Sequence, residues 1–569
     1  MITHDIIVIG GGLAGMRAAI GASKESDIAI ITRTHPVRSH SGAAQGGINA
    51  VIDERDSIES HWFDTVKGSD YLCDQDAAEI LVREAPFNIY QIEHWGTIFS
   101  RTVNGRIAQR PFGGQSFPRT CYGADKTGHL ILQTLNEQLM KHDIKIYHEW
   151  TVTKIVVIDG IVRGVVAYEQ ASGEFIGVRA KSVIVTTGGA GRMYKVTSNA
   201  HVCTGDGMAL ALKAGAALKD MECLQFHPTG LYRQGILVSE GCRGEGGYLL
   251  SDDKLDLNSP ISIQANRFMK KYAPEKMELG PRDLVSRSIW TEIIEGRGIN
   301  GRDFVYLDLR HIGEKKIMER LPQVRELCLN YVGVDPIKDP IPVQPTAHFT
   351  MGGISTDVNG ISPEIEGMFA AGECACVSCH GANRLGGNSL LETIVFGKRS
   401  GENASKYAKT HSLKAFPTVE FKDELDRINR LLENDGNESV SGIRTELQEA
   451  MTIGVGIFRD EEIMKRAIDK IRELKERYNN INIQDKGRVY NTDLIGALEL
   501  ENLLILAEIV AVGAYSRKES RGAHYRNDYP HRDDNKWLKH TLAKFTPEGL
   551  RFEYKKVNIT KFQPQERKY

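Results

Sequence analysis

Two histidines and three arginines, His227, His348, Arg243, Arg282 and Arg384, stand in short runs of Gly, Pro and small residues. Singly, each arginine reads as an ordinary surface or ion-pair residue. Together they form a set of cationic and hydrogen-donating groups that suits a dianionic substrate, because a guanidinium meets a carboxylate as a planar fork of donors. A second chemical signal is Gly10-x-Gly12-x-x-Gly15, which follows an apolar run and opens a helical one. Such glycines permit a tight turn, the approach of a pyrophosphate and close helix packing, with the helix N-terminus facing the phosphates. The acidic residue that holds a ribose about 20 residues further on is missing, since the second apolar run ends at Thr32-Arg33. A hydroxyl holds a ribose less strongly.

The elements that must position these groups follow from the apolar pattern. Ile6–Ile9 reads as a strand buried on both faces of a parallel sheet, with a helix over 16–23 and a second strand over 28–31. Further buried strands are expected in "SVIVTTGGAG" (182–191) and "GMFAAGE" (367–373), widely separated, as in one nucleotide-binding domain interrupted by another. The expected fold is α/β: a Rossmann-like domain over 1–230 and 344–402, interrupted by a capping domain over 231–343. After Gly401 charged, helix-periodic sequence predicts a helical domain over 403–515, and the Arg-, His-, Asp- and Tyr-rich tail a separate small lobe over 516–569. The apolar stretch 494–514 carries Glu499, Glu501 and Glu508 and reads as a packed helix rather than a membrane span.

The run "HPVRSHSGAAQGGINA" (35–50) places Arg38-Ser39-His40-Ser41 before a small, glycine-rich stretch. It closely resembles the flavin-attachment segment of succinate dehydrogenase and fumarate reductase flavoprotein subunits. The resemblance extends along nearly the whole chain through "QFHPTG" (225–230), "SEGCRGEGGYL" (239–249), "GPRDLVSRSI" (280–289), "PTAHFTMGGI" (345–354), "HGANRLGGNSLLE" (380–392) and "SRGAHYRNDYPHRDD" (520–534), in this order.

That resemblance implies FAD bonded covalently through His40, a link that withdraws electrons from the flavin and raises its potential. Further flavin contacts implied are Gly10, Gly12, Gly15, Thr32, Arg33, Ser41, Gly47, Asp206, Glu373, Ser389 and Leu390. It implies that His227 and Ser239 hold one carboxylate of succinate or fumarate, and His348 and Arg384 the other. Ser239 stands where the family has Thr, and the hydroxyl is kept. The proton carrier implied is Arg282, relayed through Glu240 and Arg243. A guanidinium is a poor base in water, with a pKa above ~12, and serves only where neighbouring cations and desolvation favour its neutral form. Gln45 stands where dehydrogenases of the family often carry Gln and some reductases Glu. A neutral side chain near the flavin leaves its potential higher than a carboxylate would, favouring succinate oxidation.

The bulk numbers exclude little but point one way. Hydrophobic residues are 41% and charged residues 26% of 569, with a net charge of -2, so nothing directs the chain to nucleic acid. Nine scattered cysteines suit a reducing compartment rather than a disulfide framework. Cys374-x-Cys376-x-x-Cys379 lacks a second pair at ligand spacing and reads as packed thiols with no metal. Met1 leads straight into a strand, leaving no room for a signal peptide. The expected setting is cytoplasmic, peripheral on the inner face of the membrane, with an iron–sulfur subunit taking the electrons and a membrane anchor beyond it. Two rivals are an L-aspartate oxidase, which shares the fold without a covalent flavin, and a non-catalytic flavin-binding module.

Overall fold

The computed structural model describes residues 1–252 and 254–568. Its centre is a five-stranded parallel sheet in the order Met368–Ala370, Ser182–Val185, Ile6–Ile9, Ile28–Thr32, Lys145–His148. Every residue of Ile6–Ile9 and Ile28–Thr32 is buried, because helices or a second sheet cover both faces. The helix Leu13–Ala22 lies on one face, packed along Asn388–Thr410. It begins earlier than the expected position 16, at the glycine turn itself, so its N-terminus opens directly behind the first strand. The expected strand over 182–191 stops at Val185 and that over 367–373 at Ala370. In both places the chain turns away at a glycine in the left-handed region, Gly188 at φ 78° and Gly372 at φ 71°.

A four-stranded antiparallel sheet carries the substrate motifs, with Leu224–Leu231 beside Ile341–Thr350, then Val305–Asp308 and Tyr248–Leu250. The helix Arg282–Glu292 packs against the first two of these strands. The helices Thr418–Glu433, Val440–Gly454, Glu461–Tyr478 and Thr492–Ser516 follow. The last is apolar nearly all round and buried, and its acidic residues are paired: Glu499 with Arg33 and Arg444, Glu501 with Arg427, Glu508 with Arg472 and Lys475. Among the described residues no helix is long and apolar enough to cross a membrane.

The tail is not the separate lobe its composition suggests. Its hairpin, Lys539–Thr546 with Gly549–Lys556, adds to a sheet containing Leu218–Lys219, Gly353–Ser355 and Ala375–Cys376. Its polar residues are interior joints: Arg517 bonds Glu222 at 2.8 Å and Glu519 at 3.0 Å, all three buried. His540 lies between Asp220, at 2.6 Å, and Asp74, at 3.1 Å. Burial disfavours its charge, but the two carboxylates outweigh this and raise its pKa from 6.5 to about 9. A raised folded-state value means that the pair stabilises fully below about pH 6.5 and ceases to do so as pH rises through about 9. A His540→Gln variant should therefore melt well below the parent protein at pH 6.5, with the gap closing at pH 9.5. An equal gap at both values would show that His540 packs without ionising.

Candidate functional site

The glycine turn needs its glycines. Gly10 has φ +112°, and a Cβ there would lie 2.4 Å from the Thr186 carbonyl oxygen. A Cβ on Gly15 would meet the carbonyl oxygen of Gly10 at 1.9 Å, so this glycine lets the helix close on the turn. The helix N-terminus consequently faces a cleft of about 700 Å³, where its free N–H groups favour phosphate. All the predicted cofactor residues line this cleft except Gly15 and Gly47. Gly47, at φ +140°, instead packs on Cys121, whose carbonyl oxygen would be 2.5 Å from a Cβ. Two buried polar atoms of the 35–50 run, Ser39 Oγ and Gln45 Oε1, have no hydrogen-bond partner among the described residues. A phosphate cradle, unsatisfied polar atoms and this volume fit a flavin dinucleotide.

His40 sits in the wall of the cleft with the backbone N–H of Ala200 3.4 Å from Nδ1. Burial lowers its pKa to about 4, so the ring is neutral at ordinary pH. Ser41 Oγ accepts from Leu13 N at 3.3 Å, joining this run to the helix N-terminus. Asp206 is held by Thr204 and by Asn502 of the long helix Thr492–Ser516, both at 2.8 Å. Thr32 Oγ1 is taken up by the carbonyl of Thr34 at 2.9 Å, and Arg33 pairs with Glu499. Glu373 Oε1 accepts from Thr350 N at 3.0 Å, and burial raises its pKa to about 7. Ser389 and Leu390 open the helix Asn388–Thr410 at the cleft. Residues 150–152 and 200–203 also line it, and no sequence signal marked them.

Behind His348 lies a second, buried cluster. Pairing of Leu224–Leu231 with Ile341–Thr350 sets His227 opposite Thr346, which brings the His227 and His348 rings to 5.0 Å between centroids. His227 Nδ1 lies 3.2 Å from both the N–H and the carbonyl oxygen of Thr229, which fix the ring in place. Burial, then the charge of Arg282, holds both imidazoles well below the ordinary histidine pKa, as neutral donors. Arg282 and Arg384 converge on one oxygen: Arg282 Nη1 and Arg384 Nη2 each donate to Gln225 Oε1 at 3.1 Å. Two guanidiniums held that close to a single neutral acceptor repel, and burial followed by Arg282 drives the Arg384 pKa well down. Arg384 also lies 4.3 Å from the centre of the Phe349 ring, and its Nε has no hydrogen-bond partner among the described residues.

Arg282 donates from Nε to Glu240 Oε2 at 2.8 Å and places Nη2 2.7 Å from the same oxygen. Glu240 Oε1 accepts from Gly113 N at 2.7 Å and lies 3.7 Å from Arg243 Nη2. Burial pushes the Glu240 pKa up, but Arg282 and Arg243 outweigh it, leaving the carboxyl below its usual range and ionised. Burial lowers the Arg243 pKa, and its Nη1 is held by the Glu278 carbonyl at 2.6 Å. Arg282, Glu240 and Arg243 thus form a continuous buried chain. Ser239 Oγ, also buried, accepts from Gly241 N at 3.0 Å.

Sequence reasoning passed over Gln225, which spaces the two arginines, and Ser198, whose Oγ lies 2.8 Å from His348 Nδ1. Gln225 opens the "QFHPTG" motif, so its place beside His227 was the available signal; Ser198 had none. In the Cys374–Cys379 region the thiols are buried, and desolvation raises Cys374 to about 11 and Cys376 to about 12, the protonated form that ligates metals poorly. Among the described residues Cys379, His380 and Glu392 have donor atoms within 4.8 Å of one another, with His380 Nε2 and Glu392 Oε2 paired at 2.9 Å.

Residues 5–390 match the family described as "FAD binding domain", and residues 444–569 match "Fumarate reductase flavoprotein C-term". The fumarate reductase flavoprotein subunit of Serratia sp. is 45% identical over 580 residues, covering 99% of this chain and 96% of the relative. The succinate dehydrogenase flavoprotein subunit of Rickettsia conorii is 43% identical, covering 98% and 95%. Among solved structures, a chain of the E. coli quinol fumarate reductase superposes with a TM-score of 0.95 at 44% identity, covering 100% of this chain and 99% of that one.

Proposed function

Since this chain belongs to the family of fumarate reductase and succinate dehydrogenase flavoprotein subunits, a group of FAD-dependent oxidoreductases, we propose that it oxidises succinate to fumarate, with FAD bonded to His40. FAD held in the cleft would supply the hydride acceptor for one methylene of the substrate. The chain's own residues do the rest. Neutral His227 with Ser239 donates to one carboxylate, and His348 with Arg384 to the other, so the substrate adds negative charge beside two guanidiniums that otherwise share a neutral oxygen. Arg282 hands a proton to Glu240, which its side chain touches, and takes in its place the proton of the second methylene, with Arg243 on the far side of Glu240. The observation that carries this reading is the meeting of Arg282 and Arg384 at Gln225 Oε1 beside two neutral imidazoles.

The oxidising direction rests on Gln45. Its neutral amide lines the cleft where a carboxylate would hold the flavin at a lower potential. The reverse direction, fumarate reduction, is favoured by the names of the relatives at 44–46% identity, all fumarate reductases. The electrons would leave through an iron–sulfur subunit docked on this one, and a membrane anchor would hold the complex at the inner face of the cell membrane.

Purified protein should oxidise succinate with an artificial acceptor, should be inhibited by malonate, and should keep its yellow flavin after acid precipitation. Succinate oxidation slower than fumarate reduction, at matched driving force, would reverse the direction. Flavin released by acid, with no succinate turnover, would leave an aspartate oxidase or a flavin-binding module. Arg384→Ala should weaken binding of succinate, fumarate and malonate alike, as loss of a uniform contact does. A missing charge-assisted pair costs about 2 kcal/mol or more, roughly 30-fold in affinity. Unchanged malonate affinity would remove Arg384 from the carboxylate site.

A further inference from the structure

Asp283 follows Arg282 at the start of the helix Arg282–Glu292, and its side chain is fully buried. Its Oδ2 takes Arg287 of the same helix at 3.2 Å and Arg567, from the far end of the chain, at 2.6 Å. Its Oδ1 has no hydrogen-bond partner among the described residues. Arg567 also places Nε 3.2 Å from Asp70 Oδ1, on the loop after the helix Ile58–Gly68. Asp70 in turn holds Arg532 at 2.7 Å and accepts from Gly522 N at 2.8 Å, while Arg287 donates to the Gly522 carbonyl at 2.7 Å. One guanidinium therefore spans the seam between the layer that bears the flavin cleft and the helix that begins with Arg282.

The segment leading to Arg567 is well anchored on the first side of that seam. Gln75 Oε1 accepts from the backbone N–H groups of Thr560, Lys561 and Phe562 at 3.2, 2.9 and 2.9 Å. Asn558 N donates to Asp74 Oδ1 at 2.7 Å, and the Phe562 ring packs edge-on against Trp62 at 4.9 Å and Phe63 at 5.2 Å. The Gln565 carbonyl accepts from Arg532 at 2.9 Å. With its base fixed in this way, the segment places Arg567 without depending on the helix it reaches.

We propose that Arg567 is a positioning residue for Arg282: segment 557–568 is a strap that ties the helix Arg282–Glu292 to the flavin layer through Asp283. The step rests on the proton role proposed above for Arg282, but the tie itself does not. Arg282 and Asp283 are neighbours at the first turn of one helix, so the backbone transmits a shift of the carboxylate to the guanidinium beside it. A shift of about 1 Å in a reacting group can cost on the order of 100-fold in rate. The strap therefore acts on turnover and leaves the carboxylate-binding residues on the paired strands in place.

The test uses the intact flavin-loaded protein with Arg567→Ala and Arg567→Lys. In Arg567→Ala, kcat should fall by about an order of magnitude or more while KM and malonate affinity stay within about 2-fold, with partial recovery in Arg567→Lys. Backbone hydrogen exchange over 282–292 should quicken by about an order of magnitude or more, while exchange over 58–68 and 560–562 stays unchanged. Unchanged exchange over 282–292 overturns the strap, whatever the activity. Quickened exchange with unchanged kcat overturns the positioning of Arg282. A loss of flavin, or faster exchange across all three segments, overturns it in favour of a general packing role. If the parent protein turns over neither succinate nor fumarate, the function reading fails while the exchange result still decides the tie.

Discussion

Arg282→Lys is expected to keep dicarboxylate binding and to lose turnover by on the order of 10²–10⁴-fold, the effect typical of a lost acid–base group. Three arginines surround the proposed reaction centre, and residue type alone cannot tell a clamp from a proton carrier. A clamp contributes to substrate and transition state together, whereas a proton carrier acts only as the bond breaks. The contacts separate them. On the proposed reading Arg384 and the two neutral histidines are the donors to carboxylates, while Arg282 is committed on Nε and Nη2 to Glu240 and on Nη1 to Gln225. Spanning Glu240 and Gln225 with a planar fork is what a lysine cannot copy, because its donors radiate from a single nitrogen with a shorter overall reach than the guanidinium. The variant keeps the positive charge that neutralises Glu240, so folding and flavin content should be normal. Malonate affinity, flavin content and turnover measured on one preparation decide it. Turnover near the parent rate, or failure to bind malonate, would place the proton role elsewhere.

His40→Ser should yield a folded protein with flavin that acid releases, and succinate oxidation should fall much further than fumarate reduction. The imidazole at this place is poised for attachment in two ways. Its pKa of about 4 keeps the ring neutral at ordinary pH, and because Nδ1 accepts from the Ala200 N–H, Nε2 carries the ring proton, which would leave as a bond to the flavin forms. Its Nδ1 is engaged by the Ala200 N–H, so Nε2 is the nitrogen left for attachment on the proposed reading. A bond from that nitrogen withdraws electrons from the flavin, so its loss lowers the potential and penalises the oxidising direction selectively. The pocket retains its phosphate cradle and the Asp206 and Glu373 contacts, so binding itself should survive. Equal loss in both directions would defeat the redox argument. Flavin that stays attached in the variant would defeat the assignment of His40.

What was legible in the sequence was local. The glycine turn reads correctly because only residues without Cβ tolerate Gly10 at φ +112° and the approach of Gly15 to the Gly10 carbonyl. The all-apolar strands read correctly because both their faces are covered, which removes any polar alternation. The site residues could be nominated by type and motif, since carboxylate recognition and proton transfer need guanidinium, imidazole and carboxylate groups whatever the fold.

What only the tertiary structure decided is who meets whom. The register of Leu224–Leu231 on Ile341–Thr350 sets His227 beside His348, and no local pattern encodes a pairing between strands so far apart in the chain. Gln225 between two arginines, Ser198 behind His348 and Asn502 behind Asp206 are ordinary polar residues until folding desolvates them against partners from distant segments. The tail misleads for the same reason. Its arginines, histidines and acids look like a solvated lobe, yet Arg517, Arg521 and Arg526 are almost wholly buried. Arg517 finds Glu222 and Arg521 the Asp70 carbonyl, both from distant segments, while Arg526 is satisfied by Asp528 within the tail and the carbonyl of Tyr515 just before it. A buried charge is tolerable only when paired, and whether the pair exists is a property of three-dimensional packing, which the order of residues along the chain does not display.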